Sequence, residues 1–136
     1  MSRIYHVWFA TKRRGQFLLG DIEDDAKRFI REVAREKRVH LLECETAVDH
    51  VHLLLRLDGR QSLPRVMNWL KGSSSYRLHR AYPDLKLDTG CEHFWQRGYG
   101  FTVVEPGSLS ARRRYINTQQ ERLDRLEGRI RSSRVL

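Results

Sequence analysis

Short apolar runs rich in β-branched and aromatic residues occur at four places in the chain, and longer stretches with apolar residues at every third or fourth position occur at three others. The short runs favour β-strands, and the longer spacing favours amphipathic helices. Strands are therefore predicted at residues 4–11, at 39–48, between Asp49 and Gly59, and at 101–104. Helices are predicted at about 21–37, between Ser62 and Pro83, and from 108 to about 126. The order β-α-β-β-α-β-α predicts an α+β fold, a ferredoxin-like split βαβ antiparallel sheet followed by an added C-terminal helix.

The third predicted strand carries two histidines within residues 49–55 (DHVHLLL). Because successive side chains of a strand point to opposite faces, His50 and His52 are expected on the same face. The apolar residues expected on the other face, towards a core, are Val51, Leu53, Leu55 and Leu57. Two imidazoles on one face can converge on one metal ion, and the alternative is a pair of surface or hydrogen-bonded histidines.

Two of the predicted helices begin with capping signals. Asp21 is a candidate N-cap for the first helix and Ser62 for the second. The apolar face predicted for the second helix consists of Leu63, Met67, Leu70, Ser74 and Leu78. Within that helix, residues 72–75 (GSSS) either permit close approach of another backbone or a phosphate, or form a mildly weak helix centre.

The chain is strongly basic. Its formal net charge is +9 over 136 residues, and its isoelectric point is near 10.1. This balance favours a polyanionic partner, with nucleic acid ahead of a membrane surface. A basic protein without such a partner is the alternative that composition leaves open.

Length and cysteine content narrow the class of protein further. A chain of 136 residues predicts one domain, 1–136, with a frayed tail from about 129. The two cysteines lack CxxC spacing, which argues against a zinc finger or a disulfide framework. No apolar stretch approaches the roughly 18 residues of a membrane span, and the N-terminus lacks a signal-peptide pattern, so we expect a cytoplasmic protein.

Basic and hydroxyl side chains suited to DNA phosphates occur in four clusters. The candidate DNA contacts are Lys12, Arg13 and Arg14 in the turn after the first strand, Lys71, Ser73 and Arg77 on the second helix, Arg97 in a loop, and Arg112, Arg113 and Arg114 on the last helix. The loop segment, residues 93–100 (HFWQRGYG), combines aromatic and basic residues that can stack on unpaired bases. Alternatively, Phe94 and Trp95 cover the core.

The last predicted helix contains residues 112–119 (RRRYINTQ). Tyr115 and Gln119 are four residues apart and so lie on one helix face. Tyrosine in such a position usually packs against neighbours. The three arginines that precede it would attract phosphate and favour the phenolate by charge, which makes a nucleophilic role an alternative.

Several of these motifs together resemble one protein family. DHVHLLL is similar to the His-hydrophobic-His motif of the HUH endonuclease superfamily, and RRYINTQ is similar to the tyrosine helix of its single-tyrosine transposases. LKGSSS in the second helix and HFWQRGYGFTVV before the last one also resemble that family. The motifs follow in the family's order and cover the chain from the first strand to about Leu126.

The resemblance implies an enzyme that cuts single-stranded DNA near hairpins and joins the 5′-phosphate to a tyrosine. It implies Tyr115 as the nucleophile, and His50, His52 and Gln119 as ligands of Mg²⁺ or Mn²⁺. Imidazole ligands would also accept other transition metals. Members from insertion sequences are homodimers whose tyrosine helix completes the partner's site, and Gln119-Gln120 favours that branch over the palindrome-associated one.

Other classes fit the sequence less well. A histidine-triad hydrolase would need histidine where Leu54 stands, and a two-histidine phosphoesterase would need two His-x-Thr or His-x-Ser motifs. Two rivals stay open. A non-catalytic single-stranded nucleic-acid-binding module would explain the charge and the fold, and an inactive, domesticated transposase relative would explain the motifs as well.

Overall fold

Four antiparallel strands form a single sheet in a computed structural model that describes residues 2–85 and 93–118. The strands are β1 (Arg3–Ala10), β2 (His40–Ala47), β3 (His50–Leu57) and β4 (Gly100–Val104), in the order β2-β3-β1-β4. The helices are α1 (Gly20–Glu36), α2 (Leu63–Ala81) and α3, which is helical over 109–118. Short 3₁₀ turns occupy Lys12–Arg14 and Pro106–Ser108. This topology confirms the predicted split βαβ sheet and the added helix. The predicted frayed tail lies outside the described residues.

One face of the sheet packs against α1 and α2. Val51, Leu53 and Leu55 of β3 are fully buried in this core, together with residues of β1. The helix residues that cover them are Ala26, Phe29, Ile30 and Val33 of α1, and Val66, Met67, Leu70 and Leu78 of α2. The period of two along β3 therefore sends His50 and His52 to the opposite face, as the sequence predicts.

The opposite face of the sheet packs against α3 through a small second cluster. Ile116 of α3 is fully buried against Ile4, Leu54 and Val104. Burial of one isoleucine side chain stabilises such a contact by roughly 1.5–3 kcal/mol. This anchor fixes the rotation of α3, and with it the direction of the neighbouring residue, Tyr115.

The capping predictions had different outcomes. Ser62 caps α2, because its hydroxyl accepts a hydrogen bond from the Arg65 backbone N–H at 3.3 Å. The prediction for Asp21 is wrong, since α1 begins at Gly20 with Leu19 as the N-cap. Asp21 lies instead in the first turn, where a carboxylate stabilises the helix through the helix dipole.

The serines at the centre of α2 hold another segment of backbone. The Ser74 hydroxyl accepts from the Trp95 indole N–H at 2.8 Å, and the Ser75 hydroxyl accepts from the Phe94 backbone N–H at 3.0 Å. Phe94 and Trp95 are buried in the main core. The GSSS run therefore permits close approach of a backbone, and the two aromatic residues cover the core.

The described residues contain no helix long and apolar enough to cross a membrane.

Candidate active site and nucleic-acid interface

The two histidines of β3 lie side by side on the face of the sheet that carries α3. Their ring centroids are 4.9 Å apart. The Nδ1 of His50 donates to a carboxylate oxygen of Asp49 at 2.7 Å, which leaves the other ring nitrogen directed away from Asp49. His52 is buried, whereas His50 is half-buried.

A third histidine, His6 of β1, joins this pair. Its Nε2 lies 2.9 Å from the Nδ1 of His52, and the contact is buried. On its other side, the Nη1 of Arg112 lies 3.2 Å from the Nδ1 of His6. Sequence reasoning missed His6. The available signal was a histidine in an otherwise apolar strand, but only the β1–β3 register brings it beside His52.

Tyr115 projects from α3 over the same group of rings. Its ring centroid lies 6.2 Å from that of His6 and 6.4 Å from that of His52. The residue is 44% exposed, so it is not closed off from solvent. The structure thus brings together three predicted site residues, Tyr115, His50 and His52. Gln119, the fourth, lies outside the described residues.

Burial sets the protonation state of the two inner histidines. It is the main cause that lowers the pKa of His52 to about 4, with the neighbouring His50 and His6 adding to the effect. Burial, and then the Arg112 guanidinium, likewise lowers the pKa of His6 to about 4. Both imidazoles are therefore neutral at pH 7. A neutral imidazole is the form that can bind a metal ion.

These lowered pKa values predict that the metal-free protein loses stability as pH falls from about 6.5 to 4. In that window the unfolded chain binds protons that the folded histidines do not, so each group lowers the unfolding free energy by at most about 1.4 kcal/mol per pH unit. The check is urea unfolding in EDTA at several pH values. His6→Phe should flatten the dependence, and an unchanged slope in that variant would contradict the assignment.

The donor set around His50 and His52 is suitable for a divalent ion. A carboxylate that accepts from a ligand's second ring nitrogen is typical of metal-binding histidines, and Asp49 holds His50 in this way. Among the described residues, no group of three or more His, Cys, Asp or Glu side chains could hold a metal ion. A complete site would therefore need a further ligand of another kind, such as the amide predicted at Gln119.

The basic turn Lys12–Arg14 lies at the same end of the sheet as His50. The backbone N–H of Thr11, which precedes the turn, donates to the Asp49 carbonyl at 2.9 Å. Arg14 lies 3.8 Å from the Asp49 carboxylate. Arg13 and Arg14 have positive φ angles of 56° and 54°, a region that side chains other than glycine seldom occupy. Such strained backbone often occurs at binding sites.

The arginines of α3 differ in their contacts. Arg112 contacts His6, as described above, and Arg113 donates to Glu43 of β2 at 2.8 Å. Arg114 is exposed next to Tyr115. All three lie on α3, the helix that carries the candidate nucleophile, and Arg112 and Arg113 bond to side chains of the sheet.

Two of the remaining predicted DNA contacts, Lys71 and Arg97, line a cleft of about 1110 Å³ between α2 and residues 93–99. Lys71 extends across it and donates to the carbonyl oxygens of Gln96, at 2.8 Å, and Gly98. Its ammonium thus fixes the loop that carries the exposed Arg97. Further basic and aromatic lining residues are Lys12, Arg80, Tyr76 and Tyr99.

Two predicted contacts are placed differently. Ser73 is half-buried on α2 and does not line this cleft. Arg77 forms ion pairs with Glu32 and Glu36 of α1, at 3.2 and 2.6 Å. Its guanidinium therefore links the two helices.

Comparison with known proteins identifies the family. The family model described as "Transposase IS200 like" matches residues 1–119. The chain belongs to this family. The IS200-like chain is 31% identical over 118 residues to the ISDra2 transposase TnpA of Deinococcus radiodurans, which covers 87% of this chain and 84% of that protein. It is 37% identical over 100 residues to the transposase for insertion sequence element IS200 of Salmonella typhimurium, a match that covers 74% of this chain and 66% of that protein.

Solved structures support the same placement of this IS200-like transposase. A crystal structure from Deinococcus radiodurans R1, assigned as a transposase, matches with a TM-score of 0.72 and 30% identity, and covers 88% of this chain and 92% of the other. A REP-associated tyrosine transposase bound to a REP hairpin matches with a TM-score of 0.60 at 16% identity. The match covers 89% of this chain and 69% of the other. The second likeness shows the shared fold alone.

Proposed function

We propose that this transposase cuts and rejoins single-stranded DNA near hairpins through a 5′-phosphotyrosine intermediate formed on Tyr115. The observation that carries the proposal is the position of Tyr115. Tyr115 is partly exposed to solvent and lies over the buried rings of His6 and His52. The helix that carries Tyr115 also carries three consecutive arginines. A tyrosine that only packed α3 against the sheet would not need to be 44% exposed, since Ile116 already provides that packing.

In the proposed reaction the Tyr115 oxygen attacks the scissile phosphorus and loses its proton to solvent. The new O–P bond forms as the P–O3′ bond breaks, and the 3′-oxygen leaves and takes up a proton to become a hydroxyl. One phosphate ester replaces another, so the bond energy is kept. A 3′-hydroxyl of another strand end can then attack the phosphotyrosine and restore the tyrosine without a nucleotide cofactor.

The protein's own groups would prepare this step by charge and position. Arg114, exposed beside Tyr115, can contact a phosphate on the DNA, and the positive charge of the arginines favours the phenolate. His50 and His52, with Gln119 as the third ligand, would hold Mg²⁺ or Mn²⁺. When bound, the ion would withdraw charge from the scissile phosphate and the departing oxygen.

We propose that DNA contacts extend from the site to the cleft beside α2. Lys12 borders both regions, because it follows the strand end beside His50 and also lines the cleft. The cleft presents cations for phosphate and aromatic rings for unpaired bases, the combination that single-strand binding requires. The REP hairpin bound to a protein of the same fold supports a hairpin as the partner.

A test of this function measures covalent adducts on matched DNA substrates. We expect a protein–DNA adduct that survives denaturation with single-stranded hairpin oligonucleotides and Mg²⁺ or Mn²⁺. A fully paired duplex of the same sequence should give little of this adduct, because the active site must reach an unpaired DNA backbone. Salt-sensitive binding to the hairpin without any adduct, across a panel of hairpins, would favour the non-catalytic binding module instead.

We also propose a homodimer. Strand β4 is an edge strand of the sheet, and its Phe101 and Val103 side chains are 50% and 47% exposed. Exposed apolar edge strands favour pairing with another chain. For α3 to complete the partner's site, as the family resemblance implies, it would have to leave the sheet of its own chain, against which Ile116 packs. If α3 exchanges in this way, a mixture of Tyr115→Phe and His50→Ala subunits should recover nicking that neither has alone. Strictly monomeric light scattering would contradict the dimer, and no recovery in the mixture would mean that each subunit uses its own Tyr115.

A further inference from the structure

Trp8 is a large aromatic side chain that stays partly uncovered on the face of the sheet that carries the histidines. It is 37% exposed, whereas Ile4 and His6, which share that face of β1, are buried. The register of β1 with β3 makes Trp8 the direct neighbour of His52 across the two strands. The indole therefore belongs to the floor of the candidate site, although the proposed reaction gives it no role.

The ring of His6 connects Trp8 with the candidate nucleophile. Its centroid lies 5.3 Å from that of the Trp8 ring and 6.2 Å from that of Tyr115, and both contacts are edge-on, with interplanar angles of 67° and 68°. Two partly exposed aromatic residues thus flank one buried imidazole. A DNA strand that places a phosphate at Tyr115 brings its next nucleotide towards the indole.

Gly100 of β4 makes room for this indole. It is the partner of Trp8 in the pairing of β1 with β4. A Cβ at Gly100 would overlap the Nε1 and Cε2 atoms of Trp8 and would lie 2.6 Å from Cζ2. Gly98 has a positive φ of 88°, but Gly100 is not among the positive-φ residues, so the indole is what bars a side chain at position 100. The indole therefore lies over the glycine, and its uncovered side is turned away from β4.

We propose that Trp8 is a stacking residue for the unpaired base next to the scissile phosphate. This inference rests on the proposed function for the position of that phosphate. A rigid, exposed indole can take the face of any base, because every base has a π-face, and the arginines of α3 supply charge for the adjoining phosphates. The stack holds the strand by its base, so that the phosphate is presented to Tyr115 with little dependence on which base is stacked.

The first experiment detects the stack through the fluorescence of the indole. Full-length Tyr115→Phe, which lacks the nucleophile, is titrated without metal with the tightest-binding hairpin oligonucleotide that has a single-stranded flank. We expect quenching that persists when Trp69→Phe is added and disappears when Trp8→Phe is added. Trp69 is the matched control because it lies under Lys37 at the end of α1, and Trp95 is buried in the core. Quenching that survives the loss of Trp8, or no quenching during binding, would overturn the inference.

An abasic site moved along the single-stranded flank identifies the stacked base. Quenching should be lost only when the missing base adjoins the phosphate that the wild-type protein nicks. Loss at a distant nucleotide would overturn the inference and leave the proposed function intact. Trp8-dependent quenching by hairpins that the wild-type protein never nicks would overturn the proposed function and leave the stack itself standing.

The second experiment measures hairpin affinity in a double-mutant cycle. Trp8→Leu should weaken binding at least about fivefold, the lower end of the cost of losing one base–aromatic stack, and Trp8→Phe should retain most of the affinity. Gly100→Ala should weaken binding as well, because its Cβ displaces the indole. In the Trp8→Leu background, Gly100→Ala should have no further effect, since the residue it displaces is gone.

Three results of this cycle would overturn the inference. They are wild-type affinity in Trp8→Leu, equal losses in Trp8→Leu and Trp8→Phe, and additive losses in the double variant. Urea unfolding of each variant checks that the chain is folded, and light scattering should give Trp8→Leu the same mass as the wild type. A lower mass would mean that a second copy of the chain covers the indole, which would also overturn the inference.

Discussion

Tyr115→Phe is expected to bind the DNA hairpin with near-normal affinity but to form no covalent adduct and make no nick. The substitution removes a single oxygen from a side chain that is 44% exposed, so folding and the anchor at Ile116 should be unaffected. Loss of the nucleophile removes the chemical step itself, and nicking should fall by more than about a thousandfold. Gel shifts measure binding, and denaturing gels measure the adduct and the nick.

Two other tyrosines provide matched controls for this result. Tyr5 packs edge-on against Phe101. Tyr82, at the C-terminal end of α2, donates its hydroxyl to Asp25 of α1. Both tyrosines therefore make these contacts away from the histidine group. Tyr5→Phe and Tyr82→Phe should each keep adduct formation. Substantial nicking by Tyr115→Phe would mean that another group attacks the phosphorus, and would contradict the assigned role.

Replacement of His50 and His52 with alanine should abolish both metal binding and nicking. Removal of a hydrogen-bond partner of a metal ligand typically costs roughly 10- to 100-fold in affinity, so loss of two ligands should cost more than about 100-fold. Calorimetry with Mn²⁺ gives the affinity. Unchanged metal affinity in the double variant would show that the ion binds elsewhere.

The unfolding free energy of the double variant must also be measured, because His52 is buried and bonded to His6. Its removal leaves a ring nitrogen of His6 without that partner and should lower the unfolding free energy by about 1–3 kcal/mol. His50→Ala alone keeps the His6–His52 contact and should therefore separate loss of metal from loss of stability. His40→Ala removes an exposed imidazole of β2 and should change neither property.

Local pattern was sufficient to predict the fold and the placement of two site residues. The alternation along β3 places His50 and His52 on one face because strand geometry has a fixed period of two. The same regularity predicted the buried face of α2, whose predicted members are all buried. These features depend on residues close together in sequence, which is why pattern alone can predict them.

Features that depend on strand register or on contacts between elements could not be predicted in this way. His6 is 46 residues from His52, and only the pairing of β1 with β3 brings their rings into contact. The sequence likewise predicted Lys71 and Arg77 as DNA contacts and gave no sign of their partners within the protein. In the structure, one is bonded to the carbonyls of residues 96 and 98, and the other to two glutamates of α1.

Peptide mapping of the covalent adduct tests the central claim most directly. The wild-type protein would react with a single-stranded hairpin oligonucleotide in Mn²⁺, and proteolysis with mass spectrometry would locate the nucleotide remnant. The account predicts a 5′-phosphate ester on Tyr115, within the segment that follows Arg114. Attachment of the DNA to any other residue, or through a 3′-phosphate, would contradict it.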